Sequence, residues 1–246
     1  MQLSTNARKQ HSGVQVERRR SVRLVPEREA SAHRRELPRR ILNVCAASAL
    51  IVVTAPIMLL SAVLVWLSSE GPVIYRQTRV GLDRRGDSPL RRASRRSSDV
   101  GGMPFTIYKF RTMRTDAESR SGAVWATNGD QRVTSVGRVL RQYRLDELPQ
   151  LFNVLRGDMN LVGPRPERPT IFADLRKEIS NYQQRQLVRP GITGLAQVSQ
   201  QYDTCLDDVR SKVRYDLTYI ERQSLAEDLR IMLKTAPVVL FRRGGW

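Results

Sequence analysis

Histidine and cysteine are scarce in this sequence, which has two of each among its 246 residues. Both histidines, His11 and His33, precede the first long apolar segment, so a histidine base is not expected. Cys45 and Cys205 lie far apart, which excludes a disulfide framework and is compatible with a reducing compartment. The sequence also contains no P-loop, no G-x-G-x-x-G and no Cys/His zinc pattern, which excludes the sites that depend on those motifs.

Acidic residues are outnumbered by basic ones, with 24 Asp and Glu against 42 Lys and Arg and a formal net charge of +18. Residues 1–40 carry eleven Lys and Arg against four Glu, and residues 81–100 carry six Arg against three Asp. Such runs indicate a solvated tail and loop, a nucleic-acid site or attraction to an anionic leaflet. Of these three explanations, attraction to an anionic membrane leaflet needs the fewest assumptions, because an apolar run follows Arg40 directly. No nucleic-acid partner is expected, since the basic runs lack interleaved aromatic residues for base stacking.

Charge is absent altogether from residues 41–67, which read ILNVCAASALIVVTAPIMLLSAVLVWL. At 1.5 Å per residue such a helix extends roughly 40 Å, more than the ~30 Å hydrocarbon core of a bilayer. A buried helix of that length without a polar face would be unusual in so small a protein, so membrane insertion is predicted. The run is too long, and too far from the start of the chain, for a secretory signal.

Composition divides the chain into five stretches: a basic leader (1–38), a membrane segment (39–68), two short strands around an Arg/Ser-rich insertion (71–111), a mainly helical stretch (112–188), and a turn with an extended piece and two closing helices (189–246). The leader and the insertion (82–103) have the composition of poorly ordered segments. The sequence has no internal repeat. These features predict an α+β fold that is mainly helical, with a small β element.

Capping signals mark two helices in the second half of the chain. Asp146 is positioned to act as the N-cap of a helix that ends at Gly157. Ser224 and Glu227 form a capping box that opens a helix to about Leu233. The tail after that helix is apolar, then basic, then aromatic, which suits either a membrane interface or packing on the core.

The adjacent carboxylates of Asp146 and Glu147, beside Arg141 and Arg144, form a mixed-charge cluster. A carboxylate can bind Mg²⁺ or act as a nucleophile, and arginines can hold phosphate oxygens. The same pattern is also ordinary chemistry for the start of a helix, where acidic residues favour the positive end of the dipole. Spacing alone leaves both interpretations open.

Other basic residues are carried on stiff segments. Pro164 and Pro166 restrict the backbone on both sides of Arg165, which lowers the entropy cost of gripping a phosphate. The alternative is a surface turn whose arginine pairs with a nearby Glu. Lys109 and Arg111 are two residues apart and share one face if their segment is a strand.

Four strings follow one another along the chain: GPVIYRQTRVG, FTIYKFRTM, LRQYRLDELPQLFNVLRGDMNLVGPRP and RPGITGLAQV. Together they closely resemble the bacterial sugar transferase family, the monotopic polyprenyl-phosphate hexose-1-phosphate transferases that initiate exopolysaccharide, O-antigen and glycoprotein glycan assembly. The resemblance extends over about residues 39–240. It implies an enzyme of the bacterial inner membrane whose catalytic domain, residues 69–246, faces the cytoplasm.

The resemblance also implies a mechanism. Asp146 is expected to attack the sugar-linked phosphate of a UDP-sugar, so that UMP leaves, and a polyprenyl (undecaprenyl) phosphate then takes the phosphosugar from the enzyme. Glu147 is expected to hold Mg²⁺. The residues expected around the phosphates are Lys109, Arg111, Arg141, Arg165 and Asp216. A catalytically silent relative is the alternative, although every motif residue required for activity is present.

The family's membrane segment is a re-entrant helix, broken near its middle at a Ser-Pro pair, with amphipathic helices lying on the membrane surface. Hydropathy alone favours a spanning helix, but Pro56 lies in mid-segment and arginines flank both ends, which favours two cytoplasmic ends. Ala55 stands where the family has Ser. We expect Thr54 to hydrogen-bond a backbone carbonyl that Pro56 leaves free.

Overall fold

The computed structural model of this chain describes the backbone of residues 25–83, 100–115, 117, 130–200 and 205–240, and their side chains from residue 36 to residue 238. The chain forms two compact units, residues 1–37 and 38–246. Most of the predicted leader, and most of the Arg/Ser-rich insertion, lie outside the described residues.

The first helix, α1 (Val25–Ser68), is 44 residues long and contains Pro38 and Pro56. It begins before residue 39, where we predicted the membrane segment to start, so part of the predicted leader is helical. Its stretch Glu36–Ser68 is long and apolar enough to cross a membrane, judged by length and composition. Most side chains between residues 48 and 60 are exposed, as expected of a segment whose surroundings are lipid.

The hydroxyl of Thr54 donates to the carbonyl of Leu50 at 2.6 Å. The expectation for Thr54 was therefore wrong, because a proline removes the donor to the carbonyl four residues before it, which for Pro56 is that of Val52. The hydroxyl bonds back within its own helical turn instead, a common arrangement for Thr in an apolar helix.

The predicted strands are present as an antiparallel pair, β1 (Ile74–Val80) and β2 (Pro104–Phe110), in which Tyr75 lies opposite Lys109. The remaining helices and strands are α2 (Ser135–Gln142), α3 (Gln150–Arg156), β3 (Asn160–Val162), α4 (Pro169–Glu178), β4 (Gly191–Thr193), α5 (Leu195–Ser199), α6 (Leu206–Arg222) and α7 (Leu225–Leu240). β3 and β4 form a short parallel pair. The described part of the chain is thus mainly helical, as predicted, and it has two small sheets where one small β element was predicted.

Asp146 does not cap α3, so this prediction was wrong. It lies in a 3₁₀ turn, Leu145–Glu147, and α3 begins only after Pro149. Pro149 has no N–H to donate to the carbonyl of Leu145, so the turn and the helix cannot form one continuous ladder. The predicted end of the helix at Gly157 is confirmed, since this glycine adopts a φ of 87°.

Two predictions in the last stretch were right in part. Only the beginning of the extended piece ITGLAQVS is a strand, and LAQVS forms α5, because so short an apolar run does not distinguish strand from helix. The backbone N–H of Glu227 donates to the hydroxyl of Ser224 at 3.2 Å, as predicted. However, α7 continues through Pro237 to Leu240, beyond the end that we predicted near Leu233.

Both ends of the apolar part of α1 contact residues that follow the helix in the chain. Near the start, Arg39 forms a buried ion pair with Asp228 of α7 at 2.8 Å. Near the end, Val65 is fully buried in an apolar cluster with residues of β2 and α2. Just beyond it, the Arg111 guanidinium donates to the carbonyl of Ser69. The exposed middle of the helix is therefore held at two places on one body.

Candidate functional site

A tight turn carries the two adjacent carboxylates into the interior. Arg144, just before the turn, has a φ of 58° and is the only residue other than glycine with a positive φ in the described ranges. Backbone in this region costs of order 1–3 kcal/mol and persists where the surrounding structure fixes it. As a result, Asp146 and Glu147 are only 8% and 7% exposed.

Two cations hold the Glu147 carboxylate. Lys109 Nζ lies 2.8 Å and Arg165 Nη2 2.7 Å from the same oxygen, Oε1. The other oxygen, Oε2, has a longer contact of 3.4 Å with Arg165 Nη1. Burial by itself raises the pKa of Glu147, but Arg165 and Lys109 outweigh burial and hold the pKa well below its ordinary value. Glu147 is therefore ionised at neutral pH.

Asp146 differs from its neighbour, since it makes no ion pair within the described part of the chain. Burial, and then the negative charge of Glu147, raise the pKa of Asp146 to about 6. The positive charges of Lys109, Arg141 and Arg144 act in the opposite direction and keep the rise moderate. Above pH 6 the result is a buried, ionised carboxylate with unused oxygen lone pairs, which is the form that a nucleophile requires.

Arg141 reaches this turn because α2 packs closely on the segment that follows β2. A Cβ atom at Gly137 would lie 2.1 Å from the carbonyl oxygen of Thr112, so only glycine permits the approach. Arg141 Nε then donates to Thr112 Oγ1 at 2.9 Å, and its charge lowers the pKa of Asp146. The structure thus brings Arg141 to the turn, as it does Lys109 and Arg165.

Backbone contacts between two loops fix the position of Arg165. Gly163 N–H donates to the carbonyl of Thr193 at 2.9 Å, and Gly191 N–H donates to that of Pro164 at 3.0 Å. A Cβ atom at Gly191 would lie 2.1 Å from the nitrogen of Gly163. The backbones of residues 163–166 (GPRP) and 189–194 (RPGITG) therefore pack directly against each other, which the sequence alone did not reveal.

Asp216 does not lie among the groups that contact Glu147, contrary to our expectation for it. It forms a buried ion pair with Arg185 at 2.7 Å, and Arg185 Nη2 donates to the carbonyl of Arg165 at 2.9 Å. Asp216 therefore supports the Arg165 loop from behind through Arg185. Sequence reasoning missed Arg185, because it lies in a polar 3₁₀ segment, Tyr182–Leu187, that carries no periodicity or motif.

Arg111 is also absent from the turn that holds Asp146 and Glu147. β2 ends at Phe110, so the strand alternation that we assumed for Lys109 and Arg111 stops one residue too early. The Arg111 guanidinium lies instead at the end of α1, where it donates to the carbonyl of Ser69. A cation there complements the carbonyl groups at a helix C-terminus.

Asn153 is a further residue that sequence reasoning missed. Its Nδ2 donates to the carbonyl of Thr106 at 2.7 Å, and its Oδ1 accepts from the backbone N–H of Tyr108 at 3.1 Å. These two bonds fasten α3 to β2 next to Lys109. An asparagine within a helical pattern offers no signal of this role from sequence alone.

The described residues contain no group of three or more His, Cys, Asp or Glu side chains that could hold a metal. Protein ligands for Mg²⁺ at this site would therefore be limited to Asp146 and Glu147. That set suits Mg²⁺, which commonly uses one or two carboxylates and takes its other ligands from phosphate and water. The less engaged oxygen of Glu147, Oε2, is compatible with such a contact.

Comparisons with known proteins agree on one family. The family model described as bacterial sugar transferase matches residues 34–242. The chain is 44% identical over 202 residues to a UDP-N-acetylgalactosamine-undecaprenyl-phosphate N-acetylgalactosaminephosphotransferase of Aeromonas hydrophila, covering 82% of this chain and 43% of that protein. It is 42% identical over 207 residues to a UDP-glucose:undecaprenyl-phosphate glucose-1-phosphate transferase of Caulobacter vibrioides, covering 83% of this chain and 70% of that protein.

A relative of similar length is the exopolysaccharide production protein PSS of Rhizobium leguminosarum bv. phaseoli. The two chains are 34% identical over 213 residues, which cover 85% of this chain and 98% of that protein. The present chain therefore spans less than half of the Aeromonas relative but nearly all of the Rhizobium one.

Proposed function

The chain belongs to the bacterial sugar transferase family, and we propose that it transfers a sugar-1-phosphate from a UDP-sugar to a polyprenyl phosphate, with release of UMP. The Aeromonas and Caulobacter relatives are, by their names, transferases that use UDP-sugars and undecaprenyl phosphate. The observation that carries the proposal is the difference between two adjacent buried carboxylates. Glu147 is held by two cations, whereas Asp146 has no ion-pair partner among the described residues and has a pKa of about 6.

In the proposed first step, an oxygen of ionised Asp146 attacks the phosphorus that bears the sugar. A new oxygen–phosphorus bond forms, and the bond from that phosphorus to the bridging oxygen breaks. UMP leaves with the bridging oxygen and its electron pair, and a phosphosugar remains on Asp146. In the second step, an oxygen of the polyprenyl phosphate attacks the same phosphorus, and Asp146 leaves as a carboxylate. The product is a polyprenyl-diphosphate sugar.

The cations near the turn would serve both steps by holding phosphate oxygens. Lys109 and Arg165 are already fixed in place by Glu147, so little reorganisation is needed when a diphosphate binds. Arg141 adds positive charge on the side of Asp146. Mg²⁺, held by Glu147, would supply further neutralisation of the diphosphate charge.

We also propose that α1 enters and leaves the bacterial inner membrane on its cytoplasmic side. A helix that crosses the ~30 Å hydrocarbon core puts its ends on opposite sides, where one body cannot contact both. Contacts from both Arg39 and Val65 to residues that follow α1 support the re-entrant arrangement. Exposed Leu225, Leu229 and Leu233 on one face of α7 suit contact with the membrane surface.

The direct test is UMP release by the purified protein in detergent, with labelled UDP-sugars and with or without polyprenyl phosphate. Asp146→Asn and Glu147→Gln should each abolish turnover while the protein remains folded. Asp207→Asn, which alters a highly exposed carboxylate on α6, is the matched control and should retain activity. EDTA should stop the reaction and Mg²⁺ should restore it. A folded Asp146→Asn protein with near-normal UMP release would contradict the covalent mechanism.

A further inference from the structure

A row of polar side chains runs along one face of β1. Residues two apart on a strand share a face, so Tyr75, Gln77 and Arg79 form one row, named here the β1 row. Its members are joined by hydrogen bonds: Gln77 Nε2 donates to the Tyr75 hydroxyl at 2.9 Å, and Arg79 Nη2 donates to Gln77 Oε1 at 2.6 Å. The row is therefore a connected unit and not three independent surface residues.

The β1 row lies beside both cations that hold Glu147. Tyr75 is directly opposite Lys109 in the strand pair, and residues in that relation share a face with Cβ atoms about 5 Å apart. At the other end, Arg79 Nη1 donates to the carbonyl of Pro166 at 3.1 Å, the residue after Arg165. The row thus extends from Lys109 to the Arg165 loop.

Two members of the β1 row have groups that are open to solvent or without a hydrogen-bond partner among the described residues. The Tyr75 side chain is partly open to solvent, since the residue is 37% exposed. Arg79 Nε is buried and has no hydrogen-bond partner within the described ranges, although leaving a buried donor unpaired is unfavourable. Burial, together with nearby Arg165, also lowers the pKa of Arg79 to about 10 despite its neighbour Glu167. A partly exposed tyrosine at one end of a hydrogen-bonded row, and an unused donor at the other end, are features of a surface that receives a polar ligand.

We propose that the β1 row recognises the sugar of the nucleotide-sugar donor and determines which sugar is transferred. The inference rests on the proposed function, because that function puts the attacked phosphorus at Asp146. The sugar is bonded to the oxygen of that phosphorus, whereas the uracil is separated from it by a second phosphate and a ribose. Apart from the two phosphates, the sugar is therefore the part of the donor nearest to the attacked phosphorus, and we expect it to lie beside Tyr75, the cross-strand neighbour of Lys109.

The chemistry of the row also suits a sugar. An aromatic ring can pack against the apolar face of a pyranose, while a phenol hydroxyl and a side-chain amide can bond its hydroxyl or acetamido groups. Sites built to bond a particular polar group discriminate strongly against donors that lack the group, because the site's own polar atoms then lose their partners. Tyr75 and Gln77 are the members that a sugar would contact, and Arg79 positions Gln77.

The experiment measures equilibrium binding to the full chain in detergent, using the Asp146→Asn variant so that no donor is consumed. Affinities for UDP-glucose, UDP-galactose and their two N-acetylated counterparts are compared with the affinity for UMP, which lacks the sugar. Gln77→Ala and Tyr75→Phe are introduced separately. Thr78→Ala is the matched control, since Thr78 is exposed on the opposite face of the same strand, next to Gln77.

Gln77→Ala should change the ratio of affinities among the four donors by about tenfold or more, and UMP affinity by less than about twofold. Tyr75→Phe should act in the same direction, and Thr78→Ala should change neither quantity. A parallel loss of affinity for UMP and for every donor would overturn the proposal, because the row would then contact the nucleotide. Unchanged affinities, or no binding of any UDP-sugar by the Asp146→Asn protein, would overturn it as well. The proposed function is tested separately, by UMP release from the wild-type protein.

Discussion

Asp146 and Glu147 are consecutive residues whose carboxyl groups lose their protons in different pH ranges. Within the described residues, the two cations that form ion pairs with this carboxylate pair, Lys109 and Arg165, are both bonded to Glu147. Asp146 therefore experiences burial and a negative neighbour without a compensating ion pair, and the pKa of Asp146 rises to about 6. The carboxylate that is most useful as a nucleophile is thus also the one whose ionisation the folded protein disfavours.

This arrangement predicts a pH dependence of both activity and stability. Single-turnover UMP release should fall as the pH drops below about 6, because protonated Asp146 is not a nucleophile. Folding raises the Asp146 pKa above its unfolded value, so the folded state binds the proton more tightly. The contribution of protonated Asp146 to the free energy of unfolding is fully present below pH 4, and it is lost as the pH rises through 6. The roughly two-unit rise corresponds to about 3 kcal/mol.

Asp146→Asn should consequently be more stable than the wild type at pH 8 and about equally stable at pH 3.5. Urea unfolding of the two proteins in the same detergent at both pH values measures the difference. Asp207→Asn again serves as the control, since the exposed Asp207 side chain should show no such pH-dependent gain. Equal stability of Asp146→Asn and wild type at pH 8 would show that the folded protein does not disfavour the ionised form of Asp146.

At the scale of single elements, α1 is the helix whose environment matters most. Its two anchored ends predict that residues flanking the apolar segment face the same compartment. Cysteines introduced separately at Glu36 and Glu70, with Cys45 replaced by Ser, should both react with an impermeant maleimide from the cytoplasmic side only. The exposed native Cys205 provides an internal reference for the catalytic unit. Reaction of either introduced cysteine from the periplasmic side would contradict the re-entrant arrangement.

The elements also show which parts of the molecule could be predicted from sequence. The apolar run, the β1–β2 pair and the end of α3 at Gly157 depend on local patterns and were predicted. The positions of Arg111 and Asp216 were not, because each depends on a partner distant in the chain, Ser69 and Arg185 respectively.

Within the candidate site, the motif string around the carboxylates identified residues that do lie together. Lys109, Arg165 and Glu147 form one ion-pair cluster although they are up to 56 positions apart. Sequence spacing could not separate a catalytic pair from an ordinary helix start at Asp146. The backbone excludes the ordinary helix start, since Arg144 and Pro149 prevent one at that point, and the catalytic role of the pair stays a prediction.

At the scale of the whole molecule, we expect the positive charge of the leader and the proposed catalytic residues to act separately. Most of the basic leader belongs to the unit formed by residues 1–37, and the ion-pair cluster at Glu147 belongs to the unit formed by residues 38–246. If leader charges act through an anionic leaflet, each near-surface Lys or Arg contributes up to about 1 kcal/mol, with screening over roughly 8 Å at physiological salt.

Deleting residues 1–35 should therefore weaken binding to anionic vesicles in a salt-dependent manner and leave UMP release in detergent near normal. Flotation with vesicles of different anionic lipid content, at low and high salt, measures the first effect. Replacing Arg91, Arg92, Arg95 and Arg96 of the insertion with Ser should likewise weaken vesicle binding and leave UMP release in detergent near normal. A large loss of detergent activity at unchanged folding would instead mean that these charges reach the substrate phosphates.

The exposed stretch of α1 between its two anchors, residues 48–60, has a consequence for the lipid around it. It amounts to about 20 Å of helix, shorter than the ~30 Å hydrocarbon core. A segment that enters and leaves through one surface takes up cross-sectional area in a single leaflet and none in the other. In the proposed re-entrant arrangement α1 would therefore act as a wedge, and each bound copy would add bending stress to the membrane. Loosely packed, convex lipid surfaces should therefore accommodate this protein more readily than flat ones.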